Sequence, residues 1–167
     1  MTHLTSLLIA CVSLVATSHT VAAQVAVRLE PIDLKGPRIL QDQSKSAVVR
    51  DYLQAWQGFR AAMAQNQTDL LQNDFVGSAK EILAGTIRQQ SQLGLRTQYQ
   101  DRSHTLNILF YSPDGLSIEL TDKVEYDLQV LDQNKVVTTQ REVAHYLVVL
   151  TPAEVRWKVR VFQAMPE

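Results

Sequence analysis

Cysteine is nearly absent from this 167-residue chain, which contains only Cys11. Cys11 falls within a predicted signal peptide, residues 1–23, so export would leave a mature chain without cysteine. Disulfides, thiol catalysis and cysteine-ligated metal sites are then excluded together. The sequence also lacks a Gly-rich phosphate loop, a zinc-binding His-Glu-x-x-His motif and a Gly-x-Ser-x-Gly nucleophile motif. From these absences we expect the protein to bind no metal and no cofactor.

A charge excess of either sign is also missing, because 16 Lys and Arg stand against 17 Asp and Glu, a formal net charge of -1. Nucleic acids and anionic lipids attract strongly basic surfaces, so we expect no nucleic-acid partner. An apolar fraction of 46% and a charged fraction of 20% are typical of globular domains. We therefore expect one domain with a buried core.

Residues 1–23 contain no Lys, Arg, Asp or Glu and are interpreted as a cleavable signal peptide. Their apolar run, residues 7–16, is shorter than the roughly 20 residues that cross a bilayer, and it fits a signal core. The small residues Val21-Ala22-Ala23 predict cleavage before Gln24, a periplasmic or extracellular mature protein, and no transmembrane segment after cleavage. Lipidation at Cys11 is a disfavoured alternative, because the apolar run continues past this lipobox-like cysteine.

The mature chain divides near residue 43. Residues 24–43 contain Pro31, Gly36 and Pro37 without a sustained period, and they predict an extended arm or linker with a short edge strand at residues 25–29. Residues 44–167 are expected to form the domain. The domain's first helix is indicated by apolar residues at three- and four-residue steps, beginning near Ser46 and ending at Asn66. These residues are Val49, Tyr52, Leu53, Trp56, Phe59 and Met63.

Two shorter helices are predicted between Thr68 and Leu93, and they are separated at Gly77. After residue 95, alternating apolar positions and turn residues predict a meander of four strands. The sequence therefore predicts an α+β fold: a long N-terminal helix and two shorter helices packed on a curved four-stranded antiparallel sheet.

This arrangement, ending in Arg156-Trp157-Lys158-Val159, resembles the nuclear transport factor 2-like superfamily, which includes SnoaL-like proteins. Within it, the leucine-rich middle helices, Arg96-Thr97-Gln98-Tyr99 and residues 146–150 are similar to the IMS-type domain of plastid-division proteins. The resemblance implies a cone-shaped, cystatin-like roll with an internal cavity. It does not transfer a reaction, because the superfamily holds isomerases, dehydratases and cyclases as well as non-catalytic binding domains.

Asp122 interrupts the apolar positions of the second strand, and a buried carboxylate needs a partner. If Asp132 pairs with Lys135 across a two-residue turn, a regular hairpin brings Asp122 opposite His145. That pair could perform general acid/base chemistry, so Asp122 and His145 are the candidate catalytic residues. A three-residue turn would instead move His145 to the other face, and a bulge near Asp122 would expose it to solvent.

The predicted ligand-binding residues are Trp56, Tyr126, Asp122 and His145. Trp56 and Tyr126 also have the spacing of core residues, and packing is the more common use of buried aromatics. We expect an exported, non-catalytic module that binds a small apolar ligand or a protein through the cavity or the outer sheet face, with a homodimer through the sheet as a further expectation. The alternative is a cofactor-independent SnoaL-like isomerase, dehydratase or cyclase.

Overall fold

A computed structural model describes residues 25–32, 34 and 38–166. The predicted signal peptide, its cleavage site and Cys11 lie outside the described residues. No helix in the described part of the chain is long and apolar enough to span a membrane.

The long first helix, α1, covers Asp42–Gln65. It ends where predicted, because Asn66 adopts a left-handed conformation with φ of 55° and its N–H bonds the carbonyl of Ala62. It begins earlier than the predicted start at Ser46. Asp42 lies in the first turn and forms an ion pair with Lys45, and an acidic residue there favours the positive end of the helix dipole.

The chain between the helices forms a short 3-10 turn, Thr68–Leu71, rather than the second predicted helix. The following residues leave the helical path to bond the last strand: Val76 N–H donates to the carbonyl of Val159, and Val159 N–H donates to that of Asp74. These tertiary bonds outweigh the local helical pattern. Helix α2 then covers Gly77–Gln92, with Gly77 at a φ of 55° that favours glycine.

The sheet has five strands in the order β1-β2-β3-β4-β5. They are β1 (Ala26–Leu29), β2 (Leu95–Tyr111), β3 (Ile118–Asp132), β4 (Lys135–Pro152) and β5 (Trp157–Ala164). The four strands of the meander pair antiparallel as predicted, but β1 pairs parallel with Ser103–Leu106 of β2. The sheet is thus five-stranded and mixed, not four-stranded and antiparallel. The difference arises because part of the arm joins its edge.

The core lies between the helices and one face of the sheet, which we call the inner face. Trp56 of α1 is 1% exposed and occupies the centre of this space. Its ring centroid lies 5.2 to 6.4 Å from six other rings. They belong to Phe59, Tyr99, His104, Tyr126, Tyr146 and Phe162. Aromatic side chains therefore fill the space that the cone would otherwise enclose.

Candidate functional site

The predicted pair of Asp122 and His145 does not form. Asp132 does pair with Lys135, across a two-residue turn, but β4 then carries one extra residue, Val137, between its pairings with Leu131 and Val130. This bulge shifts the register by one, so Lys123 lies opposite His145 and Asp122 lies opposite Tyr146. His145 consequently faces the opposite side of the sheet from Asp122. The three-residue turn considered above would have had the same effect on His145, but here the bulge causes it and the turn has two residues.

Asp122 instead binds two residues that the sequence did not identify as its partners. Its Oδ2 accepts a hydrogen bond from the Tyr52 hydroxyl of α1 at 2.7 Å and lies 2.7 Å from Nδ1 of His104 on β2. Asp122 is completely buried, Tyr52 is equally buried, and His104 is 2% exposed. Helix α1 and strands β2 and β3 therefore meet at one buried carboxylate.

A second carboxylate, Asp101, lies on the far side of the His104 ring. Its Oδ2 lies 3.8 Å from His104 Nε2 and also accepts a bond from the Arg60 guanidinium. Asp101 and His104 are three residues apart and would face opposite sides of a regular strand. A β-bulge at Arg102 places both on the inner face.

The electrostatics of this buried cluster favour a charged imidazole. Burial lowers the pKa of His104, but the close approach of Asp101, the hydrogen bond to Asp122 and the negative charges of both carboxylates outweigh burial and raise that pKa to about 9. Burial raises the pKa of Asp101, but the neighbouring polar hydrogens of His104 and Trp56 and the positive charge of Arg60 outweigh burial and bring that pKa below its usual value. Two carboxylates thus face one imidazolium and one guanidinium, and their charges balance.

Burial, followed by the adjacent Asp122 charge, raises the pKa of the Tyr52 phenol well above its usual value, so Tyr52 stays a neutral donor. The edge of the Trp56 indole covers His104, with the ring centroids 5.2 Å apart. Cavities of about 250 to 590 Å³ on the described surface are lined by other residues than Tyr52, His104 and Asp122. The cluster can hold a proton, but the side chains around it separate it from a substrate in solvent.

The remaining predicted site residues lie in the aromatic core. Trp56 is at its centre and Tyr126 is 6% exposed, so a ligand would have to displace packed side chains to reach either one. Their role in ligand binding stays a prediction. Among the described residues, no group of three or more His, Cys, Asp or Glu side chains is arranged to hold a metal ion.

The sequence contains little signal for the cluster that does form. Tyr52 was assigned to the apolar stripe of the first helix, and its hydroxyl was not counted as a donor to Asp122. The i, i+3 spacing of Asp101 and His104 suits a helix face better than a strand. Only the bulge at Arg102, which has no local sequence signature, brings them together.

The outer face of the sheet presents a second candidate surface, defined here by its exposed and half-buried central residues. They are Lys123, Val143, His145, Leu147, Val149 and Val161. The four aliphatic residues of this set lie outside the hydrophobic core that the described residues form under the helices, and Val143 is 41% exposed. The outer face thus carries a short aliphatic column flanked by charged and polar side chains.

The sequence matches no family profile. No curated protein matches it either. Its structure is similar to the intermembrane space region of the chloroplast protein ARC6, with a TM-score of 0.61 and 15% identity over 78% of this chain and 100% of that one. It is also similar to a scytalone dehydratase-like protein from Novosphingobium aromaticivorans, with a TM-score of 0.52 and 11% identity over 75% of this chain and 89% of that one.

At sequence identities of 15% and 11%, the similarity indicates a shared fold and nothing about function. Each of the two similarities covers at least three quarters of this chain. The chain has the nuclear transport factor 2-like fold that its sequence resembles.

Proposed function

We propose that this protein is an exported, non-catalytic binding module that engages a protein partner through the outer face of its sheet. The observation that carries the proposal is the filled interior. Trp56 and six neighbouring rings occupy the cone, and Asp122 and His104 have almost no exposed surface. A fold of this kind supports both enzymes and binding domains, so the site decides between them.

The alternative, a cofactor-independent isomerase, dehydratase or cyclase, requires a substrate to touch an acid/base group. Its candidate pair, Asp122 and His145, lies on opposite faces of β3 and β4. The buried His104 and Asp122 would serve only if the aromatic core opened. The aliphatic column of the outer face is available without such a rearrangement.

Site-specific photo-crosslinking tests the outer face. In one variant a photoreactive phenylalanine replaces Lys123 on this face, and in the matched control it replaces the exposed Glu81 on α2. Cells that export each full-length variant are then irradiated. We expect discrete protein adducts at position 123 and none at position 81. An adduct of twice the chain's mass would identify the partner as a second copy. Equal adducts at both positions, or none at 123, would contradict the proposal.

Ligand NMR tests the interior. We expect small aromatic and aliphatic carbonyl compounds to leave the Trp56 indole and His104 ring resonances unchanged at millimolar concentration, because both rings are buried and packed against each other. Saturable shifts of both resonances would instead favour the enzyme alternative.

Export is tested by the mature terminus. We propose Gln24 as the first residue of the exported protein, because Val21-Ala22-Ala23 has the small residues that signal peptidase requires. Mass spectrometry of the periplasmic or extracellular fraction should find it. A terminal lipid on Cys11, or an intact Met1 in the cytoplasm, would contradict this assignment.

A further inference from the structure

One edge of the long strand β2 has a strand partner over only part of its length. β3 pairs with β2 on one side from Leu95 to Tyr111, whereas β1 pairs on the other side only with Ser103–Leu106. Apart from the ladder with β1, which begins at the Ala26–Ser103 pair, no backbone hydrogen bond within residues 25–32, 34 and 38–166 reaches Arg96–Arg102 from that second side. The carbonyl of Leu95, just before this stretch, is occupied by the Asn66 side chain.

A groove runs beside this open edge. It has a volume of about 460 Å³ and lies between α1 and the first half of β2. The α1 side presents Gln57, Ala61 and Ala64, which follow at i, i+4 and i+7 and so form one stripe along the helix. Gln98 and Tyr99 form the β2 side. The small alanine side chains leave room for the side chains of another chain segment.

The groove continues the line of β1. Ala26, the first residue of β1, lies opposite Ser103, directly after the open stretch of β2. A strand placed along Arg96–Arg102 would therefore lie end to end with β1 on the same edge of the sheet. Seven residues at about 3.3 Å each provide roughly 23 Å of edge, enough for a strand of ordinary length.

The open stretch lacks two common devices that prevent strand addition. Proteins commonly protect such edges with Pro, Lys or a bulge, and Arg96–Arg102 contains neither Pro nor Lys. The bulge at Arg102 lies at the far end, next to β1, where it leaves Arg96–Gln100 regular.

The charges around the groove favour an acidic occupant. Arg60 lines the groove, and its buried Nε has no hydrogen-bond partner among the described residues, although its NH1 binds Asp101. Arg96, in the open stretch, forms no ion pair with any described residue, whereas Arg102 is bound by Asp127. A carboxylate in the groove would complement the positive charges of Arg96 and of the Arg60 side chain, which is 32% exposed.

We propose that this groove binds an extended, acidic segment of a partner protein, which adds as a strand to the open edge of β2. The backbone groups of Arg96–Arg102 supply the affinity, and the stripe on α1 with Arg60 and Arg96 supplies the preference for acidic side chains. This surface is separate from the outer face of the sheet and can be tested independently of it.

The test uses the full chain, labelled with ¹⁵N, and three capped hexapeptides: acidic TEVEVT, basic TKVKVT, and TEPEVT, whose proline removes one backbone donor. We expect TEVEVT at millimolar concentration to shift the amides of Arg96–Arg102 and Gln57–Ala64 and to slow hydrogen exchange in the first stretch at least about tenfold. TKVKVT and TEPEVT should bind several-fold more weakly.

Two variants test the assignment, each with a matched control. Arg96→Glu should weaken TEVEVT binding by about two- to fivefold and strengthen TKVKVT binding, whereas Arg88→Glu on α2 should change neither. Ala61→Glu, which fills and charges the groove, should abolish binding, whereas Ala153→Glu in the β4–β5 turn should not. Circular dichroism spectra and melting temperatures establish that each variant is folded.

Four results would overturn the proposal. The peptides could shift only outer-face amides such as that of Lys123, which would leave the function proposed above intact. They could bind equally regardless of charge and proline. Alternate amides of Arg96–Arg102 face away from β3 and report on the open edge. Slow exchange of these edge-facing amides in the free, monomeric full chain would mean that the chain's own N-terminal segment covers the edge. Slow exchange of the same amides that appears only on dimerisation would assign the edge to a second copy.

Discussion

Two pairs of buried aspartates stabilise this fold in different ways. Asp101 and Asp122 lie inside the cone and share His104, which is itself buried. Asp51 and Asp74 lie near the surface between α1 and β5. Each bonds an arginine that reaches solvent, and Asp51 also accepts the backbone N–H of Trp157 at 2.8 Å. We call these the inner pair and the outer pair.

We infer that burial of the partner determines the cost of losing it. Water can replace part of the hydrogen bonding that Arg50 or Arg156 provides to the outer pair, because both arginine side chains are at least 40% exposed. It cannot readily do so for His104. The inner pair should therefore dominate stability and its pH dependence, whereas the outer pair should act as a modest link between β5 and the helices.

The largest effect is expected from Asp122→Ala. It leaves the His104 imidazole and the Tyr52 hydroxyl buried without their shared acceptor, and removing one partner of a buried pair costs about 3 to 5 kcal/mol. Urea unfolding monitored by tryptophan fluorescence measures the loss. Asp74→Ala in the outer pair is the control and should cost about 1 to 2 kcal/mol. Equal losses would remove the distinction between the two pairs.

The helix and the meander could be predicted because their signals are local. The stripe from Val49 to Met63 defines one helix face, and Asn66 supplies the left-handed residue that ends the helix. The arm's position on β2 could not be predicted, because β1 pairs parallel with residues far along the sequence. Likewise, the turn after Leu71 depends on bonds to β5.

The site could not be predicted because two single-residue bulges determine it. Both faces of β4 are apolar near His145: Val143, Leu147 and Val149 alternate with Ala144 and Tyr146. Hydrophobic pattern alone therefore cannot choose the register, and the bulge at Val137 does so. The sequence left open whether Asp122 is buried with a partner or solvated at a bulge, and in the structure it is buried with one. Its identity, His104, depends on pairing between β2 and β3 rather than on the β3–β4 hairpin.

Trp56→Ala tests whether the inner pair depends on its aromatic cover. Truncating a central aromatic side chain costs about 3 to 5 kcal/mol. Water would also reach His104, so we expect its pKa to move back toward 6.5 in any protein that remains folded. Calorimetry measures the first effect and NMR titration of the imidazole the second. Trp157→Phe, near the outer pair, should leave the His104 titration unchanged. A loss below about 1 kcal/mol would show that α1 does not pack as described.

The pH dependence of stability should follow the inner pair. Because folding raises the pKa of His104 from 6.5 to about 9, its protonated form stabilises the fold fully below pH 6.5. That contribution, about 3 kcal/mol, is lost as the pH rises from 6.5 through 9. Denaturant unfolding at intervals across this range measures the slope. Asp122→Asn, which removes the charge and keeps the shape, should flatten it and lower the His104 pKa. A slope unchanged in the variant would contradict the coupling.

The smallest effect is expected from Arg156→Gln in the outer pair. Arg156 bonds Asp74 at 3.0 Å, but its side chain is 40% exposed, so salt and water screen the interaction and a loss of about 0.5 to 1 kcal/mol is expected. Thermal unfolding at low and high salt measures it, and the difference between wild type and variant should shrink at high salt. Arg160→Gln, on the adjacent strand β5, serves as the control because Arg160 forms no side-chain ion pair within the described residues. A salt-independent loss of several kcal/mol would mean that the outer pair is as tightly enclosed as the inner pair. Exposure of the partner side chain would then not explain why the two pairs contribute differently to stability.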